Sequence, residues 1–225
     1  MLNWQQIDTV LLDMDGTLLD LNFDNQFWQE FVPQRYAELH NLTITSAKQQ
    51  LQPRFKAMEG RLEWYCLDYW SNELNLNIAK LKEELADLIA IHPHVIDFLQ
   101  TAKLARKKLL LVTNAHRDSL NLKLQKTELQ RYFDAVISSH DIGLAKEQTG
   151  FWQTLQDQHV FETSSTVLID DSLAVLRSAQ HFGIAHLVSI SKPDSQSPSR
   201  QITEFPSTES FHLLLQSLKE YVADF

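Results

Sequence analysis

Four short apolar runs, and a weaker fifth, constrain this chain more than any other feature. They are Val10-Leu11-Leu12, Leu109-Leu110-Leu111-Val112, Ala135-Val136-Ile137 and Val167-Leu168-Ile169, with His186-Leu187-Val188-Ser189-Ile190 the weaker one. None of the four alternates apolar with polar residues. A strand without alternation is buried on both faces, the condition of parallel strands covered by helices. Helical patterns separate most of the runs. Pro93 reads as the first helical residue of a segment reaching about Arg106, with Val95, Ile96, Phe98, Leu99 and Ala102 turned inward. Ser172 to about His181 reads as another, stopped by Gly183. The expected fold is α/β, a doubly wound, Rossmann-like parallel sheet.

One interval breaks the rhythm. From Leu21 to Ile91 there is no convincing strand, and helical patterns cover Phe23–His40, Thr45 to about Trp70, and Asn77–Ile91. A crossover between parallel strands needs a dozen or so residues, so an interval of about 70 is an inserted module. The expected organisation is a core from 1–20 and 92–225 with a helical cap at 21–91. Ser191 to Ser210 is rich in Ser, Pro and Gln and reads as loop or mobile tail. Phe211 to Val222 returns as an amphipathic helix.

Composition narrows the function classes. The chain has 225 residues, 44% hydrophobic and 22% charged, enough for a full core and a second small module. Its net charge of −9 argues against a nucleic-acid polymer or an acidic membrane surface as a general partner. A small anionic substrate stays open, because a bound cation overrides the global field locally. Cys66 is the single cysteine, so no intrachain disulfide can form, which suits a reducing compartment. The first residues carry no basic stretch followed by an apolar one, and no run reaches the ~20 apolar residues of a membrane span. A cytoplasmic protein is expected.

Four clusters sit at or just past the C-terminal ends of these strands, where open α/β sheets bind ligands. They are Asp13-Met14-Asp15-Gly16-Thr17, Thr113-Asn114, Lys146 after Ile142-Gly143-Leu144-Ala145, and Asp170-Asp171. Singly, each has an ordinary explanation. An Asp-x-Asp-Gly run makes turns, Asp170-Asp171 can cap a helix, and Lys146 can be a surface lysine. A calcium loop of the EF-hand type wants Gly at its sixth position and Glu at its twelfth, where this chain has Leu18 and Asp24. Order and placement make the set specific. Asp13, Asp15, Asp170 and Asp171 would bring up to four carboxylates together, and like charges that close repel or hold protons. A hard divalent cation with oxygen ligands resolves the conflict. Lys146 adds a fixed positive charge, and the two together draw a phosphate toward a carboxylate that would otherwise repel it.

These clusters resemble the four motifs of the haloacid dehalogenase superfamily, and the helical insertion stands where that family's first type of cap stands. The resemblance implies that Asp13 attacks phosphorus and forms an aspartyl-phosphate. It implies that Asp15 protonates the leaving alcohol and then activates water. Thr113 and Asn114 would bind substrate, and Lys146 would bridge nucleophile and phosphate. Mg2+ would be held by Asp13, the backbone carbonyl of Asp15, Asp171 and, directly or through water, Asp170. The family's lysine is often followed by proline, whereas Glu147 follows here. Lys123 and Lys126 lie upstream, but neither follows an expected strand, so Lys146 is the choice. An Asp at position 15 points to phosphate esters rather than to halides.

A narrower resemblance joins Leu18-Leu19-Asp20-Leu21, Phe23-Asp24-Asn25, Phe27-Trp28, the segment Trp64 to Trp70, Thr113-Asn114-Ala115-His116 and Lys192-Pro193-Asp194-Ser195. Together they are similar to the bacterial purine nucleotidases that hydrolyse GMP and IMP, which implies a purine mononucleotide substrate. Trp64, Tyr65, Tyr69 and Trp70 could stack on a base or simply fill the cap's core. Asn25, Asn114, His116 and Arg117 are possible polar readers of base or ribose. A sugar-phosphate phosphatase or phosphomutase, and a non-catalytic binding protein on the same fold, are the alternatives.

Overall fold

The computed structural model describes residues 2–223. The described residues form a six-stranded sheet with every pairing parallel. Its strands are β1 (Thr9–Leu12), β2 (Lys108–Thr113), β3 (Ala135–Ser138), β4 (Thr166–Asp170), β5 (His186–Ile190) and β6 (Ser207–Thr208), in the order β3-β2-β1-β4-β5-β6. All five expected strands are present. Adjacent side chains point to opposite faces of a strand, and each face has its own core. Val10, Leu12, Leu109, Leu111, Val167 and Ile169 face one cluster with Phe98 and Phe211. Leu11, Leu110, Val112 and Leu168 face another with Phe151, Trp152 and Leu176. The uninterrupted apolar runs are therefore the sequence signature of a doubly covered sheet.

The insertion after β1 is helical. It contains α1 (Asn22–Gln26), a wide π-type turn (Phe27–Phe31), α2 (Val32–His40), α3 (Ile44–Met58), α4 (Leu62–Tyr65), α5 (Leu67–Leu74) and α6 (Ile78–Glu84). Pro33 has no N–H to donate back along the helix, which accounts for the wide turn before it. The expected single helix from Thr45 to Trp70 is three pieces. Gly60, at φ +77°, breaks it first, and Cys66, extended at φ −84° and ψ 112°, breaks it again. This segment has a core of its own around Phe27, Tyr36, Leu51, Leu67, Trp70 and Leu74. Its two connections to the sheet pair with each other, Asp20 N–H to Ala90 O at 2.9 Å and His92 N–H to Leu18 O at 2.9 Å.

The remaining helices are α7 (Val95–Leu104), α8 (Arg117–Thr127), α9 (Ser139–Ile142), α10 (Phe151–His159), α11 (Leu173–Phe182) and α12 (His212–Ala223). Helix α7 begins two residues after Pro93, because His92 is spent pairing with Leu18 and His94 turns the chain at φ +67°. Ser172 caps α11 and Gly183 ends it at φ +108°, as the sequence suggested. The stretch from Ser191 to Ser210 is a loop but not a free tail. It contains β6, buries Asp194, and hydrogen-bonds the insertion's connection through Leu21 N–H to Pro193 O at 2.8 Å. Among the described residues no helix is long and apolar enough to cross a membrane.

Candidate active site

Asp13 is the residue after β1, the strand with β2 on one side and β4 on the other. The register sets Leu12 against Leu111 and Ile169. Thr113, at the end of β2, and Asp170, at the end of β4, therefore rise beside Asp13. Lys146 reaches the same point from the loop after α9. Its ammonium donates to Asp13 Oδ1 at 2.5 Å, to Asp170 Oδ2 at 2.7 Å and to the Val112 carbonyl at 3.1 Å. Lys146 is 2% exposed and Asp13 6%, so these charges compensate one another with little help from water.

The corner carries more negative charge than Lys146 neutralises. Burial pushes the Asp13 carboxyl up to about 7 against the pull of Lys146, with Asp170 and Asp15 adding to the rise. Burial likewise lifts Asp170 to about 6 and Asp171 to about 7, the latter aided by Asp13 and opposed by Arg200. Burial works against the Lys146 charge, but Asp13 and Asp170 outweigh it and hold the ammonium above its ordinary range. Oxygens of Asp13, Asp170 and Asp171 all lie within 4.8 Å of one another. Three carboxylates that resist ionising together, with hard oxygen donors converging, fit a magnesium-like cation. Gly16 makes the approach possible. It turns the chain at φ +83°, and a Cβ there would meet the Asp171 carboxyl carbon at 2.8 Å and Pro193 at 2.9 Å.

Asp15 lies two residues on, partly buried, and its carboxylate belongs to a different set of charges. Lys123 on α8 donates to Asp15 Oδ1 at 2.6 Å and to Asp24 Oδ2 at 2.7 Å, and Lys82 on α6 donates to Asp24 Oδ1 at 2.6 Å. Burial raises Asp15 above the usual carboxylate range, against Lys123 and with Asp24. Burial also opposes the charge on Lys123, yet Asp15 and Asp24 outweigh it and keep that ammonium above its ordinary value. The four side chains join the core to the insertion.

Thr113 and Asn114 do separate things. Thr113 is buried, and its hydroxyl accepts from Ala115 N–H at 3.0 Å, shaping the turn after β2. Asn114 uses its amide on the protein. Its Oδ1 accepts from Lys146 N–H at 2.9 Å and its Nδ2 donates to Glu147 Oε2 at 2.8 Å. Glu147, where the motif more often has proline, also accepts from the Tyr65 hydroxyl at 2.6 Å and so ties α4 to the core.

A cavity of about 780 Å³ opens over these groups, in the range of small-molecule sites. Asp13, Asp15, Thr113, Asn114, Lys146, Asp170 and Asp171 line it, as do Trp28, Phe55, Trp64 and Tyr65 from the insertion. Trp28 and Trp64 lie nearly parallel, with centroids 6.5 Å apart. Of the four aromatics singled out in the sequence, Trp64 and Tyr65 face the cavity. Trp70 is core, 1% exposed, with its indole N–H on Trp64 O at 2.8 Å. Asn25 and His116 also line the cavity, while the exposed Arg117 pairs with Asp141.

The family follows from both the arrangement and the chain itself. Residues 10–189 match the model of the haloacid dehalogenase-like hydrolases. The chain belongs to that family. It is 38% identical over 215 residues to the GMP/IMP nucleotidase YrfG of Escherichia coli K12, covering 96% of this chain and 97% of that one. A haloacid dehalogenase-type phosphatase from Thermococcus onnurineus shares its fold with a TM-score of 0.78 at 21% identity, over 94% of this chain and 98% of that one. YfnB from Bacillus subtilis, in a structure bound to magnesium, superposes with a TM-score of 0.60 at 17% identity, over 94% and 98% of the two chains. Of the four carboxylates that the sequence gathers at one point, Asp13, Asp170 and Asp171 meet, while Asp15 turns its carboxylate to Lys123.

Sequence reasoning set Lys123 aside because it follows no strand, noted Glu147 without giving it a role, and overlooked Lys82 and Arg200. Lys123 left one usable signal. In a helix over 117–127 it shares a face with Ser119 and Leu120, both buried, so it is a lysine on an inward stripe.

Proposed function

We propose that this hydrolase is a magnesium-dependent phosphomonoesterase that works through an aspartyl-phosphate on Asp13, with purine nucleoside 5′-monophosphates as its substrates. We also take residues 21–91 as its cap and 1–20 with 92–225 as its core. The observation that carries the reading is the buried Asp13–Lys146 contact, flanked by Asp170 and Asp171, at the floor of an aromatic-walled cavity.

The residues fit the chemistry as follows. Asp13, Asp170 and Asp171, with the carbonyl of Asp15, would hold magnesium, which supplies charge to offset the phosphate when bound. Lys146 keeps Asp13 oriented and adds positive charge where phosphate oxygens come to rest. An oxygen of Asp13 attacks phosphorus, and the P–O bond to the leaving group breaks. The leaving alcohol takes a proton from Asp15, whose raised pKa favours the protonated form needed for that step. Asp15, now ionised, removes a proton from water. The water oxygen attacks the phosphoaspartate, and phosphate departs to restore Asp13. Thr113 closes the β2 turn against the phosphate site, and Asn114 acts on Lys146 as well as facing the cavity.

Trp28, Phe55 and Trp64 support a base as part of the substrate, since aromatic faces stack on bases at ~1–3 kcal/mol each. The 38% identity to a GMP/IMP nucleotidase supports the purine. Phosphate release across nucleotides and sugar phosphates tests the substrate. GMP and IMP should lead, and a preference for sugar phosphates would overturn that part. Isomerisation of a sugar phosphate with little free phosphate would indicate a mutase instead. Chelation should abolish turnover and added magnesium restore it; turnover indifferent to chelator would remove the metal from the scheme.

A further inference from the structure

Away from the carboxylates, three soft or borderline ligands meet where the insertion joins the core. Cys66 stands between α4 and α5, His116 lies in the turn from β2 to α8, and His140 is on α9. A sulfur and two ring nitrogens from these residues all lie within 4.8 Å of one another. Ligand atoms around one zinc stand roughly 3.3–3.8 Å apart, given bonds of about 2.0–2.3 Å. The cluster therefore needs to draw in by only about an ångström.

His116 Nδ1 takes Asp118 N–H at 3.4 Å, a long contact; for Nε2 to ligate, the ring proton moves to Nδ1, where the Asp118 carboxylate 3.7 Å away can receive it. The His140 ring is hydrogen-bonded to the backbone of Asn114, and its Nε2 is buried with no hydrogen-bond partner. An orphaned buried nitrogen costs free energy unless something binds it. A second bond that fixes the ring is what metal-binding histidines use.

Residue choice points the same way. Cys66 and His116 both occupy helix N-cap positions, accepting from Tyr69 N–H and Asp118 N–H, each at 3.4 Å. Ser, Thr, Asp and Asn cap better. Both positions hold residues that cap poorly and bind borderline metals well. Asp68 and Asp118 carboxylate oxygens lie 3.7 Å from the two nitrogens of His116, giving the site negative surroundings and a candidate fourth ligand in the exposed Asp68.

We propose that Cys66, His116 and His140 form a second metal site, for zinc or a similar borderline divalent ion, that fastens the insertion to the core. Binding replaces the thiol proton of Cys66, released to solvent, with a sulfur–metal bond. His116 and the neighbours of Cys66, Tyr65 and Leu67, line the main cavity, so a bound ion holds that wall in place. Slower substrate exchange in the presence of zinc follows. The site stands or falls independently of the substrate reading, because its test needs no turnover.

The test uses cobalt(II) as the probe, added to the full chain in excess magnesium so that the carboxylate corner is occupied. One equivalent should produce a near-ultraviolet thiolate-to-cobalt charge-transfer band that zinc abolishes. Cys66→Ser should lose the band and more than about 100-fold in cobalt affinity, beyond what losing an outer partner of a ligand costs. Serine caps α5 well, so this variant keeps its fold, and unchanged melting confirms it. His140→Gln should keep a weakened band. No band in the wild type, or equal cobalt affinity in wild type and Cys66→Ser, would overturn the site.

Discussion

Two buried groups of charges lie close together and are built on opposite plans. At the sheet's end, Asp13, Asp170 and Asp171 face one buried lysine, Lys146, with Arg200 at the edge on Asp171 at 3.1 Å. Beside it, Asp15 and Asp24 face Lys123 and Lys82, two against two. The first group is short of positive charge, and its carboxyls respond by holding protons toward neutrality. The second is balanced, and Lys123 and Lys82 pull Asp24 below the usual carboxylate range despite its burial. An unbalanced cluster is poised to accept a cation and a substrate. A balanced one is already satisfied, and its work is to hold Asp15 and to join helices from two parts of the chain. Asp15 keeps one trait of the first group, since burial raises it too, while Asp24 beside it is lowered by its two lysines.

Breaking the unbalanced group should cost the most. Asp13→Asn should lower phosphate release by at least ~10⁴-fold, the scale of removing a nucleophile, with magnesium present and the fold intact by circular dichroism. Equal release by variant and wild type would end the covalent scheme. Lys146→Met should come next, at about 10²–10³ in kcat/KM, the scale of one preorganised donor. If kcat and KM were both unchanged, Lys146 would have no part in the site.

Breaking the balanced group should show in stability first. Lys82→Met leaves Asp24 short of a partner, and removing one member of a buried pair costs roughly 3–5 kcal/mol. Chemical denaturation would measure it, and Lys82→Met with Asp24→Asn should recover most of the loss. Full stability in the single variant would mean that the pairing is not needed.

The smallest effect sharpens the contrast through pH. Asp13 and Asp171 near 7 and Asp170 near 6 bind protons in the folded state well above 3.8, where they would titrate once unfolded. These groups therefore favour the metal-free fold as pH falls from about 8 toward 5, and that contribution is lost as pH rises through 7. Magnesium competes with those protons, so its stabilising effect should grow over the same rise. Thermal melts with and without magnesium at several pH values would show it; a magnesium shift independent of pH would place the ion elsewhere.

Much of this was legible in the chain. The apolar runs identified the strands because burial on both faces removes alternation, and Asp13, Thr113 and Asp170 stand at strand ends, whereas Lys146 reaches them from the loop after α9 rather than from the end of a strand. The rest depends on tertiary placement. Lys123 looks like any helix lysine until α8 is packed against α6 and Asp24 meets its ammonium. The breaks at Gly60 and Cys66 were hidden because the helical periodicity of the flanking residues runs on across them. The Ser- and Pro-rich stretch from 191 to 210 reads as loose by composition, yet buried Asp194 receives Asn25 Nδ2 at 2.7 Å and anchors it. No local pattern announces a contact across so much of the chain.

The grip of Arg200 on Asp171, through both its carboxylate and its carbonyl, bears on how the molecule is made. Asp13 is made before β4, which cannot pair beside β1 until residue 170 has emerged, and Arg200 comes later still. A nascent chain therefore carries Asp13 for at least 150 further residues without the groups that complete the corner. The assembled corner should appear only after residue 200 has left the ribosome.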